Sequence, residues 1–267
     1  MPITPFKLLN LLGFAPFALL LMASPCQAQV IEQTFDAQSG GHLTLDTDIG
    51  TIYIKSHSDA HVLVKVRIEG TDEGDMEVTF DADDGDVAIE GKLKGSGWGS
   101  GRGSSRGLRV SYDITVPQNY HLNVDTSGGS IDIQDLIGNV DANTSGGSIS
   151  LGHISGEVDV DTSGGSIDVD AVSGNLNAHT SGGSIRARLD KQPTGDNELS
   201  TSGGSIKVYL FAEIKVDLSA STSGGRVKTD FDVDGRVDKQ RIRGTINGGG
   251  PRLRLSTSGG SVRINQL

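Results

Sequence analysis

The chain is poor in cysteine, in aromatics and in positive charge. Cys26 is the only cysteine in 267 residues, so no intramolecular disulfide can hold the fold and no all-cysteine metal site can be built. Aromatics make up 4% of the chain, which suits a narrow interior filled by Val, Ile, Leu and Ala. Long apolar runs are absent except at the start. Leu8 to Met22 is interrupted by Asn10, Gly13 and Pro16 and is short for a membrane span. With Lys7 before it and Cys26-Gln27-Ala28 after it, the segment reads as a signal peptide over residues 1–28. A transmembrane anchor is the rival reading, and Pro16 speaks against it. Lipid attachment at Cys26 is a second rival, and Pro25 stands where that motif wants a small residue.

Lysine and arginine total 23 against 34 acids. Cleavage after residue 28 removes Lys7 and no acid, leaving 22 against 34, a net charge of −12. That balance argues against nucleic acid and anionic membrane surfaces as partners. It also leaves no cysteine and no membrane span in residues 29–267, which are long enough for one sizeable core. No stretch after the signal carries the period of an amphipathic helix.

What is abundant is one phrase. TSGGSI occurs at Thr126, Thr144, Thr162, Thr180 and Thr201, followed by TSGGRV at Thr222 and TSGGSV at Thr257. The steps are 18, 18, 18, 21, 21 and 35 residues. A fixed period means stacked copies of one small unit. Aligned on the threonine, the residues two and four before it and five and seven after it are apolar in nearly every copy; Asn197 and Thr229 depart. Each copy therefore holds two short half-buried strands facing one shared interior. Gly-Gly between them suggests a reversal through positive φ, and Gly138, Gly156 and Gly174 mark a second bend. This predicts an all-β β-solenoid, a single-stranded parallel β-helix of right-handed coil. Threonine should stack on threonine and serine on serine, their hydroxyls bonding along the stack. An antiparallel sandwich of hairpins is the rival architecture, and only the rung-to-rung hydrogen bonds distinguish the two.

Before the repeats, alternating residues in 30–70 predict half-buried strands, and Thr47-Asp48-Ile49-Gly50-Thr51-Ile52 reads as a worn copy of the phrase. Met76 to Phe80 and Val87 to Glu90 predict two more strands around an acidic turn, Asp81 to Asp86. Residues 95–107 form a Gly/Ser stretch around Trp98. It lacks the Lys-Ser/Thr ending of a P-loop and reads as a surface loop. Leu108 to Val116 is a strand closed by Pro117. The expected organisation is a signal peptide over 1–28 and a solenoid over 29–267, with 29–117 as N-terminal strand cap and first rungs and 118–267 as the repeats. The 35-residue step should hold one irregular rung plus a loop. Because the sequence stops at Leu267, barely past the last copy, an open edge is expected at Val262 to Leu267, met by end-to-end self-association or by a membrane-proximal partner.

The TSGGSI copies, the leader strand closed by Val116-Pro117 and the signal peptide together resemble a bacterial putative-adhesin family of unknown function with β-helical domains. The resemblance covers roughly residues 40–267. It implies an envelope or surface protein without assigned catalytic residues.

Candidate chemistry lies in the outward columns, where Asn123, Asp125, Asp132, Asp141, Asn143, Asp159, Asp161 and Asp168 form an Asp/Asn ladder on the early copies. It reads as a solvated face that keeps the rod soluble, as oxygen ligands for Ca²⁺, or as a groove hydrogen-bonding sugar hydroxyls. The leading function is a non-catalytic adhesin-like or envelope-scaffold protein, in the periplasm, outer envelope or at the cell surface. Its partner would be a surface polysaccharide or envelope protein. A carbohydrate-active β-helix enzyme using Asp168 beside Arg186 and Lys207 is the alternative from another class, and a calcium-binding module a third. No G-x-S-x-G elbow occurs. Of the histidines, only His57 and His61 have metal-ligand spacing, with no third ligand in view.

Overall fold

The computed structural model describes residues 28–70, 76–94 and 107–267. Residues 1–27, which hold nearly all of the segment expected as a signal peptide (1–28) and Cys26, and residues 95–106, which hold Trp98, lie outside the described residues. Among those described there is no helix, and 24 strands run in chain order. They begin with β1 (Gln29–Asp36), β2 (His42–Thr47), β3 (Thr51–His57), β4 (His61–Glu69), β5 (Met76–Asp83), β6 (Asp86–Leu93) and β7 (Arg109–Pro117). The repeats supply β8 (His121–Thr126), β9 (Ile131–Ile133), β10 (Leu136–Ile137), β11 (Val140–Thr144), β12 (Ile149–Ser155), β13 (Val158–Thr162), β14 (Ile167–Val172), β15 (Leu176–Thr180) and β16 (Ile185–Leu189). They continue with β17 (Asn197–Thr201), β18 (Ile206–Leu210), β19 (Val216–Thr222) and β20 (Val227–Thr229). The last four are β21 (Asp234–Val237), β22 (Arg241–Ile246), β23 (Arg252–Thr257) and β24 (Val262–Gln266).

Each repeat places its first strand in one sheet and its second in another, so the coil is a flattened solenoid of two facing sheets. Rung-to-rung pairing is parallel and in register: Thr126 on Thr144, Thr144 on Thr162, Thr162 on Thr180. This decides for a solenoid against a sandwich of hairpins. The alternating apolar residues of both sheets form one continuous core, with Ile131, Ile167, Ile206, Leu199 and Leu253 at 0% exposure. No buried side-chain nitrogen or oxygen among the described residues lacks a hydrogen-bond partner, as a fold without disulfides requires.

The corner is built differently from the expectation in two respects. The threonine hydroxyls do bond along the stack, but to glycine backbone. Thr162 Oγ1 donates to Gly147 O on the rung below at 2.7 Å and accepts from Gly165 N at 3.3 Å. Serine likewise serves backbone, with Ser166 N donating to Ser148 Oγ at 3.1 Å. Positive φ at the Gly-Gly pair occurs at Gly129 (136°) but not at the later copies. What demands glycine there is proximity. A Cβ on Gly147, Gly165 or Gly183 would sit 2.0 Å from the carbonyl oxygen of the equivalent glycine one rung below. At the second glycine of the pair the rungs stack too closely for any side chain.

Register faults are absorbed at the second bend. Where the period lengthens from 18 to 21 residues, Asn197 Oδ1 accepts the Leu176 N–H at 2.7 Å. On the preceding rungs that acceptor is a backbone carbonyl, Asn175 O for Val158 N. The one polar residue in its inward column is therefore buried, at 1% exposure, and satisfied.

Rung order departs from chain order at both ends. The worn copy is a rung, since Thr47 pairs in register with Thr126, but β6 and β7 lie outside it. Antiparallel strands then border the stack: β4 and β1 beyond β7, and β5 beyond β6. The β5–β6 turn is shorter than expected, a two-residue Asp84-Gly85 connection with φ 47° and 89°, the geometry that Asp-Gly favours in hairpins. At the other end, β23 and β24 insert between the rung of β17/β18 and the rung of β19/β20. Val262 to Ile264 is thus paired on both sides, so over these residues the open edge expected there is covered. The 35-residue step holds no irregular rung either. Its residues form the antiparallel β21–β22 hairpin that extends one sheet past β19.

Candidate functional site

Strand alternation decides where the ladder points. In the sheet of β8, β11 and β13, the residues three before and one before each threonine face outward, while those between fill the core. Asn123, Asp141 and Asp159 pair in register as one column, and Asp125, Asn143 and Asp161 as a second. Neighbouring members are one rung, about 4.8 Å, apart. Asp132 and Asp168 belong to the other sheet, on β9 and β14, on the opposite face of the solenoid. The structure therefore brings six of the eight ladder residues together and separates two.

Two open grooves flank the double column. One, of about 470 Å³, runs between the second column and the glycine corner; Asp46, Asp125, Asn143, Asp161, His179 and Ser200 line it. The other, of about 550 Å³, lies beyond the first column and is walled by Asn139, Glu157, Asn175 and Asp196. At its head the rings of His42 and His121 stack, with centroids 4.8 Å apart and planes 21° from parallel. Within the ladder Asn143 Nδ2 donates to Asp141 Oδ1 at 2.9 Å. Desolvation, with Asp161 and Asp141 nearby, raises the Asp159 carboxyl above its ordinary range. The carboxylates do not converge on a point as a Ca²⁺ cage requires. Among the described residues one group of three metal-capable side chains converges, at His57, Asp59 and His61. Asp59 is the third metal-capable side chain, which spacing alone did not reveal.

The same outward columns turn basic along the stack. Next to Glu198 stands Arg254, then Ser219, then Arg243. Arg241, Arg243, Arg252 and Arg254 surround Ser219 and Ser221 in a groove of about 680 Å³. Arg254 meets Glu198 at 3.5 Å and Arg252 meets Asp196 at 4.0 Å. On the opposite sheet the insertion of β24 sets Arg263 between Lys207 and Lys228, with Arg186 beyond Lys207. Arg186 and Asp168 are 3.7 Å apart and both largely exposed, an ordinary surface pair of little energetic weight. Residues 29–175 carry 8 cations and 25 acids, and residues 176–267 carry 14 cations and 9 acids. This polarity was present in the sequence. The column one after each Ile or Val already carries it, acidic or neutral at Asp132, Ser150 and Asp168 and basic at Arg186, Lys207, Lys228 and Arg263, whereas the arginine groove needs the β21–β22 hairpin folded back on β19.

Residues 137–265 match the Toastrack DUF4097 family, in line with the family resemblance carried by the repeats. No curated protein matches the chain in sequence. Solved structures resemble it distantly. A putative cell adhesion protein from Clostridium sporogenes shares 14% identity at a TM-score of 0.35, over 90% of this chain and 100% of its own. A putative adhesin from Parabacteroides distasonis shares 12% at 0.41, over 90% and 97%. A putative lipid binding protein from the same species shares 15% at 0.36, over 89% and 96%.

Proposed function

We infer that this chain, whose residues 137–265 match the Toastrack DUF4097 family, is a non-catalytic binding protein of the bacterial envelope that receives a polysaccharide lengthwise on one sheet. The observation that carries this reading is the double column Asn123/Asp125, Asp141/Asn143 and Asp159/Asp161. It offers the same hydrogen-bonding groups at every rung beside two shallow grooves. A polymer with a short repeat can meet such a ladder many times, so weak single contacts sum to useful avidity without a deep pocket. Carboxylate and amide groups on a rigid scaffold suit sugar hydroxyls, and the stacked His42–His121 pair offers a ring face at one end. The face ends on the four-arginine groove, which suits an acidic group on the ligand. Passage across the inner membrane rests on the signal-like residues 1–28.

Retention on a panel of neutral and acidic polysaccharides tests the reading. Binding that falls stepwise in Asp141→Ala, Asp159→Ala and the double variant supports it, with the losses summing across rungs. No retention of any polysaccharide sinks it. Turnover that disappears in Asp168→Ala would replace it with the enzyme reading.

A further inference from the structure

Where β3 turns into β4, three side chains meet that the ladder does not use. His57 ends β3, His61 opens β4, and Asp59 stands at the middle of the three-residue turn between them. One ligand-capable atom from each lies within 4.8 Å of the other two. The backbones that carry them are held firmly. β3 and β4 both pair with β7, Gln118 N donates to His57 O at 2.8 Å, and Ala37 N donates to Ala60 O at 3.2 Å.

The hydrogen bonding sets the chemistry of the cluster. His57 Nε2 lies 2.8 Å from His61 O. A carbonyl oxygen only accepts, so Nε2 carries the hydrogen, and in the neutral ring Nδ1 is then a bare lone pair. Nδ1 faces Asp59 Oδ2 at 3.6 Å. In the neutral ring two acceptors are thus set side by side, a contact that a proton on Nδ1 or a cation bound between the two would relieve. The His61 ring stands edge-on to the His57 ring with centroids 4.5 Å apart. A metal-bound histidine characteristically donates its other N–H to a carbonyl or carboxylate, which fixes the tautomer. His57 is held in that arrangement by the fold itself.

We propose that His57, Asp59 and His61 form a binding site for a zinc-class divalent cation. Two imidazoles and one carboxylate are the donor set for zinc and its neighbours, not for Ca²⁺, which takes oxygen ligands in greater number. The Asp59 side chain is 66% exposed and the His57 side chain 20%. The site is therefore open on one side, and water completes a tetrahedron. The cation would cross-link the end of a parallel rung strand to the antiparallel strand that borders the stack. Binding to the folded chain alone would raise its thermal midpoint by mass action.

Zn²⁺ titrated into the purified full chain by calorimetry, with Co²⁺ replacing it for visible absorption, tests the site. One Zn²⁺ per chain, a Co²⁺ spectrum of nitrogen–oxygen coordination and a zinc-dependent rise in thermal midpoint are expected. His57→Ala and His61→Ala should each weaken binding by about tenfold or more. His153→Ala should leave it unchanged, since His153 pairs with Asp135 at 3.2 Å elsewhere on the surface. Asp59→Asn, in the exposed turn, supplies an independent variant should His61→Ala fail to fold, and it too should weaken binding. Absence of stoichiometric uptake by the unaltered chain overturns the proposal. So does uptake that survives the His57→Ala/His61→Ala double change, or a His57 Nδ1 resonance that shifts with pH but not with Zn²⁺.

Discussion

The phenolic oxygen of Tyr112 lies 2.9 Å from the hydroxyl of Thr47. Thr47 Oγ1 itself donates to Ile49 O at 3.0 Å, so Tyr112 is the donor of the pair. Thr126 donates within its own copy, to Gly128 O at 3.3 Å, and from Thr144 on each corner threonine donates to a glycine carbonyl of the neighbouring rung, as Thr180 does to Gly165 at 2.7 Å. Thr47 has no Gly-Gly corner outside it, and a tyrosine from the outermost rung takes that place. Gly91 and Gly50 leave the room: a Cβ on either would fall 2.1 Å or 2.6 Å from the Tyr112 side chain.

Burial pushes the Tyr112 hydroxyl up to about 12, against a smaller lowering from Thr47. The folded chain therefore keeps this proton at pH values where the unfolded chain has lost it. Stability from this group is complete below the unfolded value of 10.0 and declines as pH rises toward about 12. Tyr112→Phe should flatten that alkaline decline. It should also cost about 1 kcal/mol near neutral pH, the net worth of one buried hydrogen bond, read from denaturant unfolding. An unchanged alkaline limb in the variant would assign the decline to other groups.

Adjacent glycines in one corner should behave differently. A Cβ on Gly146 would come no closer than 3.8 Å to its neighbours, whereas one on Gly147 would fall 2.0 Å from Gly129 O. Gly146→Ala should change stability by less than about 0.5 kcal/mol. Gly147→Ala must spread two rungs along their whole hydrogen-bonded register and should cost about 3 kcal/mol, the upper end for overpacking. Thermal unfolding of the two variants side by side decides. Equal midpoints would mean that the corner is not held at the stacked distance.

The repeat made the architecture legible because one residue type recurs wherever the same physical demand recurs. Thr162, Gly165 and Ile167 each mark a corner bond, a close backbone approach and a core position, and the period carries all three. Rung order was not legible. Nothing local to Val262 or Arg263 states that this copy lies between those of Lys207 and Lys228. That choice depends on the 35-residue step, which gives β23 and β24 the reach to insert and the β21–β22 hairpin the room to border β19. The candidate ladder was half legible for a related reason. Period-two alternation says that Asp132 and Asp161 both face outward, but not that they face outward from opposite sheets. Asp59 was missed because a turn can bring its residues together without any period.

Asp159 should make the ladder sensitive to pH. Its carboxyl is raised above an ordinary value near 3.8 by desolvation first, then by Asp161 and Asp141, with His179 opposing. A raised folded value means that the folded chain binds a proton more readily than the unfolded one. Stability attributable to this group therefore falls as pH rises through the carboxylate range and stays lower at neutral pH. Asp159→Asn removes the charge and should raise the thermal midpoint near neutral pH while leaving it nearly unchanged in acid. A lower midpoint at both values would show that Asp159 is held by a favourable contact of its charged form.

The position of β24 makes the firmest prediction. Its backbone is bonded on both sides: Val262 N donates to Arg226 O at 3.0 Å, Ile206 N to Ser261 O at 2.9 Å, and Leu267 N to Leu210 O at 2.9 Å. Chain ends ordinarily fray and exchange their amide hydrogens fast. Here Val262 to Gln266 should exchange as slowly as the neighbouring β18, and more slowly than β21, whose residues are all exposed. Deleting residues 262–267 should do more than shorten a rod. β20 has no strand partner other than β24, so it would detach, and the edge of β18 would be bared. The shortened chain should then associate with itself in a concentration-dependent way that the full chain does not share, measurable by sedimentation. Fast exchange over Val262 to Gln266, with unchanged sedimentation after the deletion, would place this copy at the end of the stack instead of within it.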